Sequence, residues 1–262
     1  MKFPKKHRML ILVSYILLLI ILFLVLLQML YYYIETAEKV EYAIQTRTLK
    51  NDGFCVLYNE DYAAKTHDFP CRQLKDDVLA KLPHGYQFLD YIYKINNVAL
   101  STFHRDVTSS QYIYKTQHPI YTLILYKYDG ELLSVCPQSN YTYPFNWSQI
   151  VNLDGKQGTA FLFNCDLLHA GRTNMCKERK VIQYKIAHVD DLPRLEHLVG
   201  IRNEKTDICE ITNYNKIMRK LSYYFEMPIN YWFYPLMVKR NDSNTILGKI
   251  QSYIPIEYYN NA

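Results

Sequence analysis

Three residues of this chain have the types and spacing of a metal-ion grip: His104, Asp106 and His169. His104 and Asp106 close the apolar run VALSTFHRD. Two residues two apart in an extended segment point to the same side, so both can reach one ion. His169 follows sixty-three residues after Asp106, at the end of GTAFLFNCDLLH. Two imidazoles and one carboxylate suit Fe(II) with positions left open for co-substrate and oxygen; zinc accepts the same donors. Arg179, ten residues after His169, opens the strand-like run RKVIQYKIAHV. There its guanidinium can pair in bidentate fashion with the distal carboxylate of a 2-oxoacid. Tyr126, in YTLILYKYDG, can offer its hydroxyl to the same carboxylate.

These residues need a scaffold of strands. From Tyr86 to Asp190 the chain runs as YQFLDYIYKI, VALSTFHRD, YTLILYKY, ELLSVCP, TAFLFNC and KVIQYKIAHV. Each is short and rich in β-branched and aromatic residues, and Asn96-Asn97, Asp129-Gly130 and Asp154-Gly155 mark turns between them. No helical period interrupts them. That pattern predicts an antiparallel sandwich or barrel rather than an alternating α/β fold. Before it, RQLKDDVLAKL places Leu74, Val78 and Leu82 on one stripe of a short surface helix. After it, the aromatic segment 216–237 predicts a C-terminal helix covering the barrel.

At this point the sequence resembles the Fe(II)/2-oxoglutarate-dependent dioxygenase superfamily, in the branches of phytanoyl-CoA dioxygenase-like enzymes and prolyl hydroxylases. The resemblance covers residues 86–190. It rests on the His104-x-Asp106 pair, a TLILYKYDGELLSVCP hairpin, and a G-x-x-F-L-F-x-x-x-x-x-H-A-G strand with its trailing Arg179. It implies a mainly β, double-stranded β-helix (jelly-roll, cupin-like) with flanking helices. It also implies iron held by His104, Asp106 and His169, and 2-oxoglutarate held by Arg179 and Tyr126, with O2 as second co-substrate. Where phytanoyl-type enzymes show P-G-S-H, this chain has Pro137-Gln138-Ser139-Asn140, so the resemblance names no substrate beyond a protein side chain or a lipid. The other reading is a non-catalytic membrane scaffold on a degenerate barrel of the same kind.

The N-terminus carries a different signal. Met9 to Leu30 hold no charge, and at ~1.5 Å per residue this run is ~33 Å of helix, enough to cross a bilayer. Tyr31-Tyr32-Tyr33 follows as an interfacial cluster, where a cleaved leader would show small residues. Lys2, Lys5, Lys6 and Arg8 precede the run, so the expectation is an N-terminus in the cytosol and a lumenal or extracellular domain in the endoplasmic reticulum, Golgi or a viral membrane. Sequons at Asn140, Asn146 and Asn241, and six cysteines as disulfides would require, agree with that side. The expected plan is a tail at 1–8, an anchor at 9–33, a stalk and N-terminal helical region at 34–85 with the stalk at 34–50 continuing the anchor helix, the barrel at 86–190 and a helical, aromatic-rich cover at 191–262.

Net charge excludes one class of partner. Without those four basic residues the chain keeps 26 against 25 acids, so its +5 is a property of the N-terminus. A nucleic-acid surface needs clustered surplus charge, and none is present. No C-x-x-C, phosphate-cradling glycine loop or G-x-S-x-G elbow occurs either.

Overall fold

The computed structural model describes residues 5–37, 39–42, 46–64, 69–97, 102–172, 179–205 and 212–226. They fall into two compact units, Met1–Glu38 and Lys39–Ala262. The first is one helix, α1 (Lys5–Ala37). Its described side chains from Ile11 to Leu26 are exposed on every side. Among the described residues no helix is long and apolar enough to cross a membrane.

The second unit is built on two sheets. The larger runs in the order β10 (Gly200–Lys205), β3 (Tyr86–Asn96), β9 (Lys180–His188), β4 (Tyr121–Tyr126), β7 (Thr159–Asn164), β2 (Phe54–Tyr58). The smaller runs β1 (Lys39–Tyr42), β6 (Val151–Gly155), β5 (Gly130–Val135), β8 (His169–Gly171). Apart from the parallel pairs β1–β6 and β10–β3, neighbours are antiparallel.

Alternation explains the core between the sheets. Ile124 and Tyr126 of β4, Phe161 and Phe163 of β7 and Val181 of β9 meet Leu133, Val135, Val151 and Leu153 of the smaller sheet in one cluster. The opposite face of the large sheet is covered as well. Leu123, Leu125, Leu162, Ile182 and Tyr184 pack there against Leu74, Val78 and Leu82, beside helix α4 (Arg72–Leu79). A sheet buried on both faces reads as unbroken apolar runs, which is why YTLILY and TAFLF show no polar alternation. The mainly β, cupin-like architecture and the Leu74–Val78–Leu82 stripe are as expected.

Four expectations need correction. The segment after α1 is not a helical stalk: β1 extends the smaller sheet beside β6. The sheets are not confined to 86–190, because β1, β2 and β10 lie outside it; Phe54, Cys55, Val56 and Leu57 of β2 are all buried and pair with β7. TLILYKYDGELLSVCP is not a hairpin, since β4 pairs with β7 and β9 while β5 pairs with β6 and β8. The Tyr128–Gly130 link crosses from one sheet to the other. Finally, Cys55, Cys71, Cys136 and Cys165 are free thiols, so disulfides give no support for an oxidising compartment at these positions. Cys176 and Cys209 lie outside the described residues.

The C-terminal cover is α6 (Asn213–Tyr224), begun by a Thr212 capping box. Arg219 donates to Gly171 O and Ser134 Oγ, on β8 and β5, and its guanidinium lies over the Phe103 ring. The remainder of the cover, 227–262, lies outside the described residues.

A candidate metal centre between the two sheets

His104 sits on no regular strand. It forms a single antiparallel bridge with His169, the first residue of β8, through His104 N–H to His169 O at 2.9 Å and His169 N–H to His104 O at 3.0 Å. Such a bridge places two imidazoles side by side, and their centroids are 4.5 Å apart at 53°. Asp106, two residues on, returns to the same side and is fixed by its N–H to Cys165 O at 2.8 Å. Arg105 between them turns the other way. Fully buried, it meets Glu226 at 3.3 Å through both Nε and a terminal nitrogen and also donates to the Ser139 and Asp166 carbonyls. One three-residue stretch thus supplies two ligand side chains inward and the anchor of the α6 end outward.

The imidazoles are prepared for a cation. His104 Nδ1 lies 2.8 Å from Thr102 O and His169 Nδ1 2.9 Å from Leu167 O. A carbonyl only accepts, so both Nδ1 atoms carry hydrogen and both Nε2 atoms are left as lone-pair donors. Each Nε2 is 3.8 Å from the same oxygen, Asp106 Oδ1. The three donor atoms lie within 4.8 Å of one another. Ligands at ~2.1 Å in a right-angled arrangement would stand ~3 Å apart, so each imidazole and the carboxylate oxygen, now 3.8 Å apart, need to close by about 0.8 Å. Burial first, then the adjacent His104, hold the His169 imidazole down at about 4, so it is neutral at pH 7. The donor set fits a divalent metal.

The second oxygen of Asp106 is taken. Oδ2 accepts from Lys185 Nζ at 2.7 Å, from Gln183 Nε2 at 3.3 Å and from the Thr122 hydroxyl. Burial alone would raise the Asp106 pKa; the Lys185 ammonium, with the two imidazoles behind it, outweighs burial and holds the carboxyl below its usual range. With His169 neutral, Lys185 is the principal cation in that balance. Sequence reasoning missed Thr122, Gln183 and Lys185. The signal was there: Gln183 and Lys185 stand two apart in an otherwise apolar strand, on the same side as Arg179.

Arg179 and Tyr126 are both buried, and they face each other electrostatically: burial and Tyr128 push the Tyr126 hydroxyl well up, and Arg179 pulls it back. A file of rings leads to them along β7, from His169 to Phe163 at 4.5 Å, then two residues back to Phe161, which meets Tyr126 at 5.6 Å. Arg179 lies four residues before Gln183, ~13 Å of extended chain. The triad and the Arg179 guanidinium are therefore joined through one packed interior. His104 is the open side, with 34% of its side chain exposed, whereas His169 has 3%. A cavity of about 440 Å³ lined by Arg47, Lys50, Lys81 and Tyr141 lies elsewhere and shares no residue with the triad.

The sequons divide. Asn140 is buried with its side chain against Gly53, leaving no room for a glycan; this expectation is corrected. Asn146 is half-buried and accepts from Ser148 N–H at 3.1 Å. Asn241 lies outside the described residues.

No protein-family model matches the chain, and no curated protein matches it. Solved structures do. EvdMO1 aligns over 55% of this chain and 49% of its own, at 14% identity and a TM-score of 0.40, so the chain spans about half its length. SnoN, a non-heme alpha-ketoglutarate-dependent epimerase from nogalamycin biosynthesis, aligns over 53% of this chain and 79% of its own, at 12% identity and TM-score 0.40. HygX from Streptomyces hygroscopicus, solved with nickel and 2-oxoglutarate, aligns over 54% and 84%, at 13% identity and TM-score 0.39.

Proposed function

We propose that the chain is a membrane-anchored Fe(II)/2-oxoglutarate-dependent dioxygenase that hydroxylates a C–H bond of a protein side chain or lipid. The observation that carries this is the convergence of His104 Nε2, His169 Nε2 and Asp106 Oδ1, with both Nδ1 atoms tied to carbonyls. Three protein ligands on one side of an ion leave its other side for small molecules. Fe(II) with 2-oxoglutarate and O2 supplies the oxidising power that a C–H bond demands and side chains lack. The residues do the rest. Arg179, buried beside Tyr126, pairs with the distal carboxylate of 2-oxoglutarate, and the Tyr126 hydroxyl donates to it. Phe161 and Phe163 exclude water between the two ends. The exposed edge of His104 is where substrate enters.

Anchoring belongs to the same proposal. A helix apolar on every side has no polar face to give to water, which favours a bilayer around Ile11–Leu26. The basic residues before it favour a cytosolic N-terminus and a lumenal or extracellular domain.

One observation favours a scaffold. Lys185 already neutralises Asp106, so the buried carboxylate is satisfied with no metal. Purified full-length chain given Fe(II), 2-oxoglutarate and O2 separates the two. The dioxygenase forms succinate, and Asp106→Ala does not. Absence of succinate from the parent chain supports the scaffold, and equal turnover by Asp106→Ala overturns the triad.

A further inference from the structure

The buried ammonium of Lys185 is the feature of the second unit that a metal site least expects, since a cation beside a metal ligand repels the ion. Lys185 has 1% of its side chain exposed. Its Nζ donates to Asp106 Oδ2 at 2.7 Å, to Thr122 Oγ1 at 2.7 Å and to Cys165 Sγ at 3.7 Å, so all three N–H bonds are used. Thr122 in turn donates to the same Oδ2, and Gln183 Nε2 reaches it at 3.3 Å. The donors of β4 and β9 that reach Asp106 all land on the one oxygen, Oδ2. The other oxygen, Oδ1, is the one both imidazoles face.

We propose that Lys185 is a positioning residue that clamps Asp106 by Oδ2 and so restricts it to one-oxygen ligation through Oδ1. The inference rests on the metal-site reading above. A carboxylate free to turn binds a divalent ion through both oxygens and fills two positions; a clamped one fills one. With two imidazoles and one carboxylate oxygen, three of six positions stay open, the number that a two-point co-substrate and oxygen together require. Lys185 thus trades attraction for the ion against open positions around it. A residue that only balanced charge would have no such effect on how Asp106 binds.

Ligation mode is read directly by infrared difference spectra of the full-length chain on adding Mn(II) without oxygen. A carboxylate bound through one oxygen shows widely separated asymmetric and symmetric stretches, and a chelating one shows them close together. The parent chain should show wide separation. Lys185→Met should still bind Mn(II), no more weakly than the parent, with the separation collapsed. Thr122→Val, nearly isosteric, removes one donor from the clamp and should narrow it in part; it serves if Lys185→Met does not fold. Mn(II) binding with unchanged separation in both variants overturns the clamp alone. A parent chain that binds no Mn(II) overturns the metal site, and the clamp with it.

Discussion

Among the described residues the second unit holds two groups of two histidines and an aspartate, and their geometries differ. In the interior, His104 and His169 are tilted at 53° and turn Nε2 toward a single carboxylate oxygen. Near the surface, His118 and His188 lie stacked at 3.9 Å and 25°. Nearly parallel rings send their lone pairs side by side rather than toward one point. The hydrogen bonds differ in the same sense. Backbone carbonyls take Nδ1–H in the interior pair and leave Nε2 to converge. In the surface pair His118 Nδ1 faces Asp191 at 3.1 Å, while His188 Nδ1 lies 3.2 Å from the Asp190 carboxylate and accepts from Asp190 N–H at 3.3 Å. Gly85, at φ 96°, leaves room for the Nε2 edge of His188 that any Cβ would occupy. Equal composition therefore gives a candidate metal site in one place and a staple between chain segments in the other. What distinguishes them is where Nδ1 finds its partner.

Exchanging the loss between the two groups breaks the comparison most sharply. His169→Ala should lower Mn(II) affinity by ~100-fold or more, the scale of removing one of three ligands, while His188→Ala should change it by less than about threefold. Calorimetry on the full-length chain checks both; a larger loss in His188→Ala reverses the assignment. Next in size is the cationic end. Arg179→Ala removes a charge-assisted contact and leaves a carboxylate unpaired, at about 2–5 kcal/mol. Affinity for 2-oxoglutarate in the presence of Mn(II) should fall by ~30-fold or more with Mn(II) binding intact. Lys at this position should restore part of it, giving charge without the fork. Equal affinities remove Arg179 from the site.

The staple should answer in stability instead. Asp191 is fully buried and accepts from Gln117 N–H at 2.7 Å and His118 N–H at 2.9 Å. Asp191→Ala should cost about 1–3 kcal/mol in denaturant unfolding, with Mn(II) affinity unchanged. A change in metal affinity of tenfold would mean that the two groups are coupled. A pH series sharpens the contrast from the other side. In the metal-free chain His169 stands at about 4 against an ordinary 6.5. A depressed imidazole resists protonation on folding, so its contribution is whole above pH 6.5 and lost as pH falls to about 4. Over that window Tm of the parent should fall more steeply than Tm of His169→Asn; parallel slopes would place the ring in water. The smallest effect concerns thiols. Burial pushes Cys55 and Cys165 up to about 11 and Cys136 up as well. Iodoacetamide at pH 8 should therefore label the half-buried Cys71 and spare these three until denaturant is added.

Much of this was legible in residue types and spacing. The meeting of His104, Asp106 and His169 was, because a His-x-Asp pair at a strand end and a histidine after a buried strand are local patterns. The β architecture was, because six short apolar runs with turn residues between them leave few alternatives. The partners of Asp106 were hidden. Lys185 reads as an ordinary charged residue until β9 is paired, and only the alternation from Val181 through Gln183 turns it inward. Strand β2 was missed because FCVLY is short and isolated in sequence, and its partner β7 lies a hundred residues on. The crossing from β4 to β5 looked like a hairpin because Asp129-Gly130 is a turn signal whichever sheet the next strand joins.

Anomalous scattering from crystals of the full-length chain grown with Mn(II) locates the ion itself. The expected map has one peak in the second unit, about 2.0–2.2 Å from His104 Nε2, His169 Nε2 and Asp106 Oδ1, with Lys185 still on Oδ2 and no peak between His118 and His188. A peak at the stacked pair, or none at the triad with Lys185 alone holding Asp106, would contradict it.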